Sequence, residues 1–355
     1  MSVDSLDGDR RPAKVVFYGS PSCAVPSLEA LAKSPAFELM AVVTRPAQRI
    51  VRGRRESGTP VADAATALGI PVLAPQRVSE ILEWLREQRP DIGAIVGYGQ
   101  IIPPAVIEAH RLGMVNLHIS LLPKWRGAAP VQRAIMAGDT ETGVCTMLID
   151  AGLDTGPVLD CVKTQIRPEE TAGELEERLA ELGAPLLAKS LESLVEGRAT
   201  PIPQRDDDAT YAPALRREEC ELDWNEPAPV LERLIRACSP KPLAHTRFRG
   251  RLLKVARARA FERLPEELAR EGYVPDDLSA ARERTTPADD ESYEPPDLKR
   301  FFPGEVVVPH KGNPLVACGQ GFLELVEVHL EGRSRVSGEA FARGARLRPD
   351  ERLGD

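Results

Sequence analysis

The sequence predicts an α/β protein in which an open, mostly parallel sheet with helices on both faces is followed by a small β-barrel domain. Three observations carry this. Short apolar runs alternate with helical patterns through the N-terminal half, as stacked β-α-β units do. Beyond Tyr211 the texture changes to brief β-like runs punctuated by glycine. Between the two lie Pro201, Pro203 and the acidic run Asp206-Asp207-Asp208, which read as a linker. A chain of 355 residues is comfortable for two domains, and the expected division is 13–205 and 206–355.

In chain order, Val15–Tyr18 is the first strand and runs into Gly19-Ser20-Pro21. A helical pattern over Ala24–Lys33 and a second strand at Leu39–Val43 complete the opening unit. Strands at Ile92–Val96 and Met114–His118 continue the alternation, separated by helical stretches around Val78–Gln88 and Ala105–His110. Ligands of such sheets sit beyond the carboxyl ends of the strands, which is where Gly19, Tyr98-Gly99 and His118 fall. Glu170–Gly197 reads as one long helix whose Leu175, Leu179, Leu182, Leu186 and Leu187 form an apolar stripe, with Pro185 as its point of breakage. The second domain's strands are expected at Ala244–Phe248, Leu252–Ala256, Gly304–Val308, Leu315–Ala317 and Phe322–Val328. Residues 261–300 stand apart. Five prolines lie there among many carboxylates, with too little apolar surface to offset the entropy of ordering, so a flexible acidic insertion is expected.

The formal net charge of -8 argues against a basic nucleic-acid coat, so any RNA contact must come from local patches. Cys23, Cys145, Cys161, Cys220, Cys238 and Cys318 are widely spaced without a C-x-x-C pair, and are expected as reduced, mostly buried thiols. The N-terminus carries Asp4, Asp7 and Asp9 and no apolar h-region, and no apolar run approaches the roughly 18 residues of a membrane span. A cytoplasmic location follows as the expectation, with a monomer as the default state.

The chemistry concentrates in N-L-H-I-S-L-L-P-K-W-R-G-A-A-P-V-Q-R, from Asn116 to Arg133. Strand alternation points Asn116, His118 and Ser120 one way and Leu117 and Ile119 the other. An amide and an imidazole at a strand's carboxyl end can bind a developing oxyanion and manage a proton. Downstream, D-A-G-L-D-T-G-P-V-L at Asp150–Leu159 sets Asp154 in a glycine-rich turn, a third group for moving an acyl unit to an amine. Taken singly, each of the three fits an ordinary structural role: backbone groups can satisfy an Asn or a His, and Asp is common in turns. No G-x-S-x-G surrounds Ser120, G-x-G-x-x-G is missing after the first strand, and no H-E-x-x-H or clustered His/Cys pattern supports a metal. Arg45, Arg49, Arg52, Arg54 and Arg55 crowd the loop after the second strand, where guanidinium groups can grip the phosphates of a nucleic-acid end. Arg247, Arg249 and Arg251 fall at period two and are expected along one strand face as a basic stripe.

N-x-H-x-S-L-L-P followed by L-D-T-G resembles the 10-formyltetrahydrofolate-dependent formyltransferases and related hydrolases. W-R-G-A-A-P-V-Q-R, the R-G-R-R loop, T-Y-A-P-A-L at Thr210 and G-A-R-L-R-P near Arg346 resemble the branch acting on aminoacylated tRNA. The resemblance implies a Rossmann-like catalytic domain and an OB-like tRNA-binding domain. It implies Asn116, His118 and Asp154 as catalytic groups, and Ser120, Leu121, Leu122 and Pro123 along the folate site. It implies 10-formyltetrahydrofolate as donor, no metal, and initiator methionyl-tRNA as acceptor. The arginines named above then become tRNA contacts, with Arg52 foremost at the acceptor end. Rival readings are a formyltransferase acting on a small amine such as an amino sugar nucleotide, a hydrolase releasing formate from the same folate, and a folate-dependent RNA-binding protein. Ile119 departs from the small residue usual between His and Ser, Ser239-Pro240-Lys241-Pro242 lacks an aromatic, and the acidic insertion would repel phosphates.

Overall fold

The computed structural model describes residues 11–46, 58–265, 268, 301–349 and 351–354. Two compact units divide the chain, one comprising residues 1–134, 139–167 and 174–214, the other residues 135–138, 168–173 and 215–355.

The first unit is built on a seven-stranded sheet. Its strands are β1 (Ala13–Gly19), β2 (Phe37–Val43), β3 (Val72–Leu73), β4 (Ile92–Val96), β5 (Met114–His118), β6 (Glu141–Leu148) and β7 (Val158–Gln165). They lie in the order β3-β2-β1-β4-β5-β6-β7. The first five are parallel, whereas β6 pairs antiparallel with β5 and β7 with β6. Val15, Val16, Phe17 and Tyr18 of β1 are fully buried, which is why this central strand reads as an unbroken apolar run. β7 instead alternates half-buried with exposed residues, as a strand at the end of the sheet order does.

Helices α1 (Val25–Lys33), α2 (Pro60–Ala67), α3 (Leu82–Gln88), α4 (Pro104–Glu108) and α5 (Pro130–Ala137) follow the strands. α2 begins cleanly because the Thr59 hydroxyl accepts from the Ala62 N–H and Pro60 opens the first turn. α6 (Ala172–Val195) runs through Pro185 unbroken. Pro185 lies on the exposed side, while Leu175, Leu179, Leu186 and Leu187 are buried, so the hydrogen bond it forfeits faces water and packing holds the helix straight through.

The second unit contains α7 (Ala228–Cys238), β8 (Ala244–Phe248), β9 (Arg251–Phe261), β10 (Val306–Val307), β11 (Leu315–Ala317), β12 (Phe322–Leu330), β13 (Arg335–Ser337) and α8 (Gly338–Ala345). Its sheet is antiparallel, ordered β10-β11-β12-β9-β8 with β13 on β12. The apolar face of α7, with Leu231, Ile235 and Cys238, joins Trp224, Val255 and Leu323 in the core. At the near edge of the expected insertion, Phe261 ends β9, and Leu264 and Leu268 are buried with Val307 and Phe322. The remainder of that segment, like Arg49, Arg52, Arg54 and Arg55, lies outside the described residues.

Candidate active site

The strand order reverses between β1 and β4, so their carboxyl ends open a crevice flanked by β5. Gly97 and Gly99 turn the chain out of β4 with φ of 57° and 74°. Arg45 is fastened at this rim: its N–H donates to Ser20 Oγ at 3.1 Å and its Nε to the Tyr98 carbonyl at 3.1 Å. A Cβ on Gly99 would collide with the Arg45 guanidinium.

On β5 the alternation holds. Leu117 packs at Gly183 of α6, whereas Asn116 and His118 share the other face, in register with Met147 and Cys145 of β6. His118 is buried, with Nε2 3.0 Å from the Trp125 carbonyl and Nδ1 3.7 Å from Asp154 Oδ2. A carbonyl only accepts, so Nε2 carries a hydrogen and Nδ1 is the nitrogen open to proton chemistry. Asp154 Oδ2 also accepts the Gly127 N–H at 2.8 Å. The turn after β5 therefore serves both groups, with Trp125 orienting the imidazole and Gly127 holding the carboxylate.

Asp154 adopts a φ of 52°, in the left-handed region that costs an ordinary residue roughly 1–2 kcal/mol. The turn is over-determined by its neighbours. Asp150 Oδ1 accepts from the Gly152 N–H at 2.9 Å and the Thr155 hydroxyl at 2.7 Å. Gly156 sits so close to the Leu148 carbonyl that a Cβ would strike it.

Ser120, which the resemblance puts along the folate site, is fully buried, with its hydroxyl donating to the Lys124 carbonyl at 2.6 Å. Leu121, Leu122 and Pro123 are half-buried across a cis Leu122-Pro123 bond, and Leu121 lies against Gly143. Ile119 is half-buried as well.

The expected stripe of Arg247, Arg249 and Arg251 is not one strand face. Phe248 pairs with Arg251, which leaves Arg249-Gly250 as a two-residue turn with φ of 49° and 73°. Arg249 is committed to structure: it donates to Glu351 at 2.6 and 2.9 Å and to the Ala345 carbonyl at 3.1 Å, and lies 4.6 Å over the Phe248 ring. Arg251 bonds the Glu331 carbonyl. With Arg333 and Phe341, both arginines line a cavity of about 680 Å³ in the second unit.

The cysteines also depart from expectation, since Cys145 and Cys161 form a disulfide. They are direct partners across β6 and β7, a proximity set by strand register and invisible to sequence spacing. Cys23, Cys220, Cys238 and Cys318 remain free thiols, and burial pushes Cys23 up to about 11. Among the described residues no His/Cys/Asp/Glu group is arranged to hold a metal, and no helix is long and apolar enough to cross a membrane.

Sequence reasoning missed Arg126 and Gln204. Arg126 is 1% exposed, with Nη1 2.9 Å from Asp206 and with Nε and Nη2 donating to Gln204 Oε1 at 3.1 and 2.9 Å. Gln204 Nε2 donates in turn to the carbonyls of Asp154 and Gly156, at 2.9 and 2.7 Å. Nothing local in P-I-P-Q-R announces this. The one available signal was an arginine inside an otherwise small and apolar stretch, W-R-G-A-A-P.

Residues 13–191 match the family described as formyl transferase, and residues 214–346 match the formyl transferase C-terminal domain. A methionyl-tRNA formyltransferase of Solibacter usitatus is 42% identical over 345 residues, covering 96% of this chain and 99% of that protein. The enzyme of the same name from Streptomyces coelicolor is 40% identical over 344 residues, covering 96% and 100%. Among solved structures, WlaRD, a sugar 3N-formyl transferase crystallised with dTDP and 5-N-formyl-THF, superposes with a TM-score of 0.58. It is 16% identical, with 92% of this chain and all of that one covered, a likeness of fold.

Proposed function

Since the chain belongs to the formyl transferase family, with methionyl-tRNA formyltransferases as near full-length relatives, we propose that it formylates the α-amino group of methionine on initiator tRNA. The donor in this reading is 10-formyltetrahydrofolate. The observation that carries the chemistry is the pairing of His118 Nδ1 with Asp154 Oδ2 at 3.7 Å, beside Asn116 on the same face of β5.

The neutral amine attacks the formyl carbon and a C–N bond forms. The Asn116 amide donates a hydrogen bond to the resulting oxyanion, an interaction worth on the order of 3 kcal/mol of barrier. With Nε2 held by Trp125, His118 works through Nδ1, and the amine's proton passes to Asp154 directly or by way of that nitrogen. Collapse of the tetrahedral species breaks the bond to the folate nitrogen, which takes up the proton. Neither a nucleophilic side chain nor a metal takes part in this scheme. Leu121, Leu122 and Pro123 supply apolar surface for the folate. Arg45, together with Arg49, Arg52, Arg54 and Arg55, serves as a contact for the tRNA end in this reading, while Arg247, Arg249 and Arg251 serve the second unit's contact, Arg249 from the hairpin turn between the other two. The reading places a monomeric enzyme in the cytoplasm.

The test is formyl transfer in parallel reactions containing initiator methionyl-tRNA, elongator methionyl-tRNA, an amino sugar nucleotide, or water alone. Formylation confined to the initiator is expected. Preference for the sugar nucleotide, or free formate with every acceptor, would replace the proposal by one of the rival activities.

A further inference from the structure

Asp154 sits in the left-handed backbone region with a φ of 52°, and its carboxylate matters only where that conformation puts it. Residues far along the chain decide this. Gln204 presents both amide hydrogens to the turn's own carbonyls, those of Asp154 and Gly156, at 2.9 and 2.7 Å. Its oxygen takes two N–H groups of the buried Arg126, so all four bonds of the side-chain amide are made. Arg126 is anchored by its main chain as well. It donates to the Thr210 carbonyl at 2.9 Å and accepts from the Ala212 N–H at 2.7 Å, while its guanidinium reaches Asp206.

We infer that Gln204, oriented by Arg126, is a positioning residue for Asp154, setting the carboxylate's place against His118 without touching substrate. The inference rests on the formyl-transfer reading of this site. Two clamps from different parts of the chain meet at Asp154: Gly127 holds its carboxylate and Gln204 holds its backbone. Gly127 directly follows Arg126, so one short segment governs both clamps, the carboxylate through its own N–H and the carbonyl through Arg126 and Gln204. The pairing is specific in polarity. A side chain that only accepts at position 204 would satisfy Arg126 yet repel the two carbonyls, turning the Asp154 backbone away from its place.

Gln204→Glu in the full-length protein provides that change. Turnover on initiator methionyl-tRNA is expected to fall on the order of 10²-fold, the cost of displacing a reacting group by about an ångström, with KM for tRNA and folate within about twofold. Introduced into an Asp154→Asn background, the same change should cost almost nothing more, because the group it positions has already been removed. If Gln204→Glu does not fold, as judged by circular dichroism and thermal melting, Gln204→Met, similar in length and without donors, takes its place. Equal loss in both backgrounds, loss confined to KM, or full activity of the variant would overturn the positioning role. An unaltered enzyme that fails to formylate initiator methionyl-tRNA would instead sink the functional reading on which the inference stands.

Discussion

Lowering the pH should destabilise the first unit through one buried histidine. His110 lies 2% exposed, with Nδ1 2.9 Å from the Val106 carbonyl and Nε2 3.3 Å from the Tyr18 hydroxyl. The neutral ring fits both partners, donating from Nδ1 and accepting at Nε2; a second proton would place a charge on a ring that burial removes from solvent. Burial accordingly pushes His110 down to about 4, from an ordinary value of 6.5. Because the unfolded chain binds the proton more readily, this histidine's share of stability is complete above pH 6.5 and is lost as the pH falls towards 4. At pH 5 the linkage integral gives about 2 kcal/mol lost relative to pH 7.5. For a unit of this size that is roughly 4–8 °C in melting temperature. Calorimetry of the unaltered protein and of His110→Gln at both pH values is the assay, since the glutamine variant should lack this part of the slope. Equal slopes in the two proteins, or a His110 imidazole that titrates near 6.5 by NMR in the folded state, would refute the reasoning.

Two further outcomes follow from local geometry. Gly99→Ala places a Cβ in a left-handed conformation and against the Arg45 guanidinium, so stability should fall by about 1–2 kcal/mol, and transfer to tRNA should drop as far as in Arg45→Ala; a neutral Gly99→Ala would show that the rim is loose. The protein denatured without reductant should titrate four thiols rather than six, and Cys161→Ser should cost about 3 kcal/mol by the loop-closure estimate for a 16-residue separation; six thiols would show the pair unbonded.

What could be read in the sequence followed from burial on both faces. β1 and β4 are central and apolar almost throughout, and β5 beside them interrupts its apolar residues only with Asn116 and His118, so these strands fall where the sequence put them. β3 has two residues and exists because β2 offers it a partner, and β6 spells E-T-G-V-C-T-M-L, in which Gly143 and the threonines break any pattern. The disulfide and the misread arginine stripe failed for one shared reason: both depend on register, on which residue faces which across a ladder and where the hairpin turns. A one-residue shift at Arg249 is enough to move a side chain from a strand face into a turn.

The candidate site divides the same way. Asn116, His118 and Asp154 were legible because strand alternation and a glycine-rich turn are local properties, readable within a few residues. Their cradle was not, since Arg126 reaches Gln204 across 78 positions and Gln204 reaches Asp154 across 50. Nor is that cradle incidental to the chemistry. Asp154 carries a positive φ, and in the proposed mechanism an acid–base pair whose members sit 3.7 Å apart has little tolerance for drift. Gln204 is bonded to the Asp154 turn, although its sequence, P-I-P-Q-R-D-D-D, reads as the start of a linker. A stretch that composition marks as a connection is the stay of the candidate site's loop, because a buried arginine had to be supplied with an acceptor and the turn's carbonyls with donors.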